Sequence, residues 1–149
     1  EAREVRDLMN LLAVLANSQD EIAMAGVLRS PLVGLSDESL LRFVQRKPLV
    51  DPEDRFRLDR FQALLAKWRP YAEELSPDRL LRPFLDAGDY EGPLGDRQRG
   101  NIDKLLAMLR QWHGIAPDAL PGVLERLERL RAAGVEAEAP PADPGNVVQ

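Results

Sequence analysis

Residues 1–16 read EAREVRDLMNLLAVLA, and in them Val5, Leu8, Met9, Leu12 and Leu15 recur at intervals of three and four. A helix turns once every ~3.6 residues, so this spacing gathers the apolar side chains into one stripe. It predicts a helix from about Glu4 to Ala16. A half-buried strand would need alternation instead, and none is present. The same period governs almost the whole chain.

A second helix is expected from Asp20 to Leu28, with Ile22, Met24, Ala25 and Leu28 available for burial, before Pro31 and Gly34 interrupt it. Ser36 can cap a third helix whose first turn carries Asp37 and Glu38, where negative charge meets the positive end of the helix dipole. Asp51-Pro52-Glu53-Asp54 is another start signal, with a capping Asp and a Pro at the first helical position. Its stripe runs through Phe56, Leu58, Phe61, Leu64, Leu65 and Trp68 to Pro70. A break is expected there, because Pro70 has no N–H to donate. Ser76-Pro77-Asp78 opens a short helix through Leu80, Leu81, Phe84 and Leu85. The stretch from Gly88 to Gly100 reads as a loop. A long helix then carries Ile102, Leu105, Leu106, Met108, Leu109 and Trp112 inward and stops at Gly114. The last uses Leu120, Val123, Leu124, Leu127 and Leu130 and ends at Gly134.

The expected fold is therefore all-α: a single compact domain of about seven helices over residues 1–134. Residues 135–149 are expected to be an acidic, Pro-rich linker followed by the opening of a strand at Asn146-Val147-Val148-Gln149. The chain begins inside an amphipathic helix, with neither an initiator Met nor a signal-peptide core, and so reads as a piece of something larger.

Composition narrows the function. With 44% hydrophobic and 30% charged residues the chain belongs among globular domains rather than disordered ones. A net charge of -5 excludes coating nucleic acid through bulk charge, so any DNA contact must come from a placed site. The absence of cysteine removes disulfides, thiolate nucleophiles and Cys-held metals, and fits a reducing, cytoplasmic setting. No apolar run approaches the ~20 residues that span a bilayer, so no membrane partner is expected.

Catalytic chemistry is missing from the pattern. There is no GxxxxGK[ST] phosphate loop, and the glycines around Gly92 and Gly95 lack the strand before and the Lys-Ser/Thr after. His113, the one histidine, has no second histidine or cysteine with which to bind metal, and in the last turn of its helix it faces the negative dipole end. Trp68 and Trp112 sit on apolar stripes, which makes them core residues before they are base-stacking platforms. Glu125, Arg126, Glu128, Arg129 and Arg131 form a solvated surface of helical ion pairs. No catalytic residue, metal ligand or cofactor is expected within the chain.

Two stretches carry a family resemblance. Glu4-Val5-Arg6-Asp7, Leu28-Arg29-Ser30-Pro31 and Gly34-Leu35-Ser36-Asp37-Glu38 match, in order and spacing, the accessory insertion (the 2B subdomain) of UvrD-type bacterial DNA helicases. The likeness is closest to the AddA and RecB-like helicase–nucleases. RQRGNIDKLLAMLRQW, Arg97 to Trp112, is similar to a further helix of that insertion. The resemblance implies an accessory domain of an ATP-dependent helicase acting in DNA repair and recombination. ATP and Mg²⁺ would be held elsewhere, by RecA-like motor lobes of the parent chain. Its partners would be duplex or forked DNA and those lobes.

The Gly34 turn is where the resemblance places the duplex contact. A glycine turn opening a helix can present backbone N–H groups to a phosphate, reading shape without sequence. The expected DNA-binding residues are Gly34, Leu35 and Ser36, with Arg29 and Arg42 adding charge. The same residues also read as an ordinary capped helix start. The domain as a whole also reads as an interaction module docking a partner protein or regulating the motor, which suits a net charge of -5.

Overall fold

Leu8, Leu11, Leu12, Val14 and Leu15 are all buried, so the first helix, α1 (Arg3–Ala16), is covered on far more than one stripe. A surface helix hides one face; this one lies in the middle of the molecule. The computed structural model describes residues 2–138, in which six further helices follow α1. They are α2 (Glu21–Arg29), α3 (Asp37–Val44), α4 (Pro52–Trp68), α5 (Pro77–Ala87), α6 (Asp96–Ile115) and α7 (Leu120–Glu138). Helices α2, α5, α6 and α7 all pack on α1, and α4 joins through α5. Among the described residues there is no strand, and no helix is long and apolar enough to cross a membrane. The all-α reading holds.

Local chemistry starts most helices where expected. The Asp20 carboxylate accepts from the Ala23 N–H at 3.0 Å, Ser36 Oγ from Ser39 at 3.2 Å, and Asp51 from Glu53 at 2.9 Å. Ser76 is extended in backbone but makes no side-chain cap; Pro77 alone sets that start. Helix α4 ends at Trp68, and a 3-10 turn at Arg69–Tyr71 accommodates Pro70.

Three glycine boundaries are corrected. Helix α6 begins at Asp96 rather than after Gly100, because the Gln98 side chain accepts from the Gly95 N–H at 2.9 Å and stabilises an earlier turn. It continues through Gly114 to Ile115 and stops where Pro117 forces Ala116 into an extended conformation. Helix α7 runs through Gly134 to Glu138, so the first residues assigned to a linker are helical. The remainder of that linker and the strand opening at Asn146–Gln149 lie outside the described residues.

Some residues expected inside are not. Ile22 is 89% and Phe56 64% exposed, and Leu130 is also exposed. Leu130 stands at the mouth of a concavity that it shares with Val5 and Met9 of α1 and Met108 of α6. The Arg60 guanidinium lies 5.7 Å from the Phe56 ring centre and shields it in part. Trp68 and Trp112 pack against the core, and Arg126 lies 3.9 Å over the Trp112 ring.

Because α1 is central, two of its acids are trapped. Glu4 and Asp7 are both buried. Glu4 accepts a hydrogen bond from the Asn101 amide of α6 at 2.7 Å, and Asp7 accepts one from the Tyr90 hydroxyl at 2.7 Å. Tyr90 comes from the α5–α6 connection, which Arg82 and Arg99 stitch from either side. Arg82 donates to Glu91 at 2.8 Å, and Arg99 donates to the carbonyls of Glu91 and Gly92.

Burial pushes the Asp7 carboxyl above its ordinary value, and the Tyr90 hydroxyl partly offsets this. The Tyr90 hydroxyl is itself raised, by burial and by Asp7. With a raised folded pKa, the charged carboxylate costs stability at higher pH, and the cost is relieved as pH falls through that pKa. Tyr90→Phe removes the one strong donor to this carboxylate. It should lower stability at pH 7 by about 1–3 kcal/mol in denaturant titration, the usual cost of an unsatisfied buried acceptor. The deficit should shrink in acid, since a neutral carboxyl loses less than an ion; a deficit independent of pH would contradict this role for Tyr90.

Candidate nucleic-acid interface

The chain leaving α2 folds back on itself before α3. The Ser30 hydroxyl donates to the Val27 carbonyl at 2.7 Å and accepts from the Leu32 N–H at 3.2 Å. The Gly34 N–H donates to the Ser30 carbonyl at 2.7 Å, and the Leu35 N–H to the Leu28 carbonyl at 2.9 Å. Leu32, Val33 and Leu35 are buried and anchor the turn from below. Gly34 is the exposed apex at φ 76°. A Cβ there would meet nothing within 4 Å, so glycine is needed for the left-handed backbone and not for room.

Ser36 is tied to α4. Its N–H and its hydroxyl both donate to Asp54 Oδ2, at 3.3 and 2.9 Å, and the Ser39 hydroxyl donates to the same oxygen at 2.6 Å. Arg57 donates to the other oxygen at 2.9 Å. Asp54 is only 2% exposed. It is the hub that fixes the start of α3 against α4, a role hidden in sequence behind the simpler reading of an acid in a first helical turn.

The expected DNA-binding residues thus separate. Arg29 and Gly34 line one cleft of about 450 Å³ between α1, α2 and the turn. Leu35 forms part of its wall but is 5% exposed, so it supports the turn from beneath. The polar groups of Ser36 face Asp54. Arg42 lies five residues beyond the start of α3, roughly 8 Å by helical rise, and donates to the Pro48 carbonyl at 2.6 Å. The structure does not bring it to the cleft. It brings Arg3 instead, from the first turn of α1. Nothing in the local sequence marks Arg3, because only the packing of α1 on α2 puts it in the same cleft as Arg29.

A second concavity, about 610 Å³, lies between α2, α3 and α4. Met24, Phe43, Leu49 and Leu58 floor it, and Val44, 61% exposed, stands at its edge. Arg46 on its rim is held at φ 61°, where its N–H donates to the Phe43 carbonyl and that of Lys47 to the Arg42 carbonyl. This closes α3 in a Schellman arrangement that glycine usually supplies. His113 lies in the last turn of α6, as expected. No group of three His, Cys, Asp or Glu among the described residues could hold a metal ion.

Known proteins share this chain's sequence over nearly its whole length. It is similar to the AddA-type ATP-dependent helicase/nuclease of Bacillus cereus (strain B4264), Bacillus mycoides (strain KBAB4) and Bacillus thuringiensis (strain Al Hakam). Identity is 31% in each case over 90% of the chain. The likeness is to one segment of these helicase/nucleases. The chain spans 13% of the length of these curated AddA relatives. No protein-family model matches it.

The Ser39 hydroxyl, above all, holds the Asp54 carboxyl below its ordinary value against the opposing effect of burial; Ser36 and Arg57 add to this. The stability that Asp54 contributes is complete above the unfolded pKa of about 3.9 and is lost as pH falls toward the lower folded value. Asp54→Ala should therefore lower stability by about 2–3 kcal/mol at pH 7, leaving two hydroxyls and an amide without their acceptor. The gap to the parent should narrow as pH falls below about 4 in acid-unfolding curves, as the charge-dependent part is lost. An equal gap at every pH would show that the carboxylate charge contributes nothing.

Proposed function

We propose that this domain is a non-catalytic accessory domain of an ATP-dependent DNA helicase or helicase–nuclease, contacting duplex or forked DNA and regulating unwinding in repair and recombination. The observation that carries the reading is the Gly34 turn: a hydrogen-bonded, exposed, left-handed apex that shares its cleft with Arg29. Similarity to a segment of AddA-type helicase/nucleases supports the reading. ATP and Mg²⁺ would bind the motor lobes of the parent chain, which are also this domain's intramolecular partners.

One observation favours a second reading, docking of a partner protein. The groove between α2, α3 and α4 has an apolar floor and an exposed Val44, which a protein segment could cover.

Asn and Asp both tolerate positive φ better than other residues, so Gly34→Asn and Gly34→Asp differ mainly in charge. In the full-length protein, Gly34→Asn should bind forked DNA like the parent. Gly34→Asp should bind more weakly by about 1 kcal/mol, the scale of one added charge near a phosphate in water. ATPase activity stimulated by single-stranded DNA should persist in both. Equal fork binding by the two variants would remove the DNA contact from this turn and move the partner-docking reading ahead.

A further inference from the structure

The DNA reading leaves open which atoms hold the phosphate. The backbone amides of the turn are already committed: those of Gly34, Leu35 and Ser36 each donate to an acceptor within the protein. Ser30 has likewise spent its hydroxyl. What remains uncommitted in the cleft is charge. We propose that Arg3 and Arg29 together form a two-point grip on the DNA backbone, with the amides of the Gly34 turn taking no part. This rests on the DNA reading above and adds Arg3, from a different helix, to the site.

Both arginines are exposed and both line the cleft. Neither makes a hydrogen bond or ion pair among the described residues, whereas Arg42, Arg57, Arg69, Arg82, Arg99 and Arg110 all do. Arg29 sits in the last turn of α2, where the helix dipole favours a cation. Arg3 sits in the first turn of α1, where the dipole opposes one, so helix electrostatics give no reason for a cation there. The buried Asp7 carboxylate is the one counter-charge that the cleft offers it.

The one acidic group in the cleft is Asp7. It is buried on the floor, accepts from Tyr90 and interacts with Arg3 only through space. Two guanidinium groups against one buried carboxylate leave the mouth of the cleft positive. A guanidinium offers planar paired donors that match phosphate oxygens, and none of these contacts reads a base. The ligand is accordingly a nucleic-acid backbone held without sequence preference.

The test is binding of the 149-residue chain to a short duplex across a salt series, comparing the parent with Arg3→Ala, Arg29→Ala, the double variant and Arg3→Lys. Each phosphate contact contributes about 0.9 to the slope of log affinity against log salt. Each alanine should lower the slope by about that amount and weaken binding about eightfold at ~0.1 M salt; the double variant should lose about twice the slope. Arg3→Lys should keep the slope. Arg79→Ala, exposed on α5 outside the cleft, should leave it unchanged. Because both arginines are exposed and lack hydrogen-bond partners, helical circular dichroism and melting temperature should match the parent. If the parent binds duplex and the two alanine variants bind with the same slope, the grip is overturned while the DNA reading stands. If the parent fails to bind duplex even at low salt, both fall together.

Discussion

The fold depends on one constraint: α1 is buried nearly all round while carrying two buried acids. An apolar helix in that position could slide or rotate among its neighbours at little cost. Glu4 and Asp7 prevent this, because a buried carboxylate without a partner is far more expensive than a misplaced leucine. Glu4 finds Asn101 on α6, and Asp7 finds Tyr90 on the connection between α5 and α6. Register and orientation of the central helix follow from two hydrogen bonds whose partners lie 97 and 83 residues apart in sequence. The surrounding leucines supply most of the stabilisation; the acids select the arrangement.

A similar device sets the surface feature on which the proposed function rests. Asp54 gathers Ser36, Ser39 and Arg57 and so fixes the angle at which α3 leaves the Gly34 turn. The turn is held for internal reasons, and the same hydrogen bonds that hold it consume its amides. Geometry that resembles an anion nest is here a closed structure. On the proposed reading, contact with an anion passes to side chains on either side of it. Helix α1 then matters twice, once through its buried acids and once through the arginine in its first turn.

Much of this was legible in the sequence because it is local. Apolar spacing located the helices, and Asp20, Ser36, Asp51 and Pro70 marked starts and stops whose chemistry involves residues within a turn of one another. What escaped was non-local. Gly114 and Gly134 resemble stops, but glycine permits a helix end without imposing one; at α6 the terminator is Pro117, which acts through the residue before it. Ile22 and Phe56 fit their stripes in sequence yet stand exposed in the fold, because apolar spacing alone does not say which faces a neighbouring helix covers. Arg42 stood close to Gly34 in sequence and fell away along α3. Arg3, far from Gly34 in sequence, reached the cleft through helix packing alone. The family resemblance drew attention to the turn, yet its contacting atoms could be reasoned about only once the hydrogen bonds of that turn were known.

On the proposed reading, the face formed by the start of α1 and the turn after α2 meets DNA. Amide chemical shifts of the ¹⁵N-labelled chain, followed through titration with a short duplex at low salt, test this most directly. The largest perturbations should cluster at Arg3, Arg29 and the Ser30–Leu35 turn, and they should vanish as salt rises. Perturbations centred on the groove of Met24, Phe43 and Leu58, or none anywhere, would contradict it.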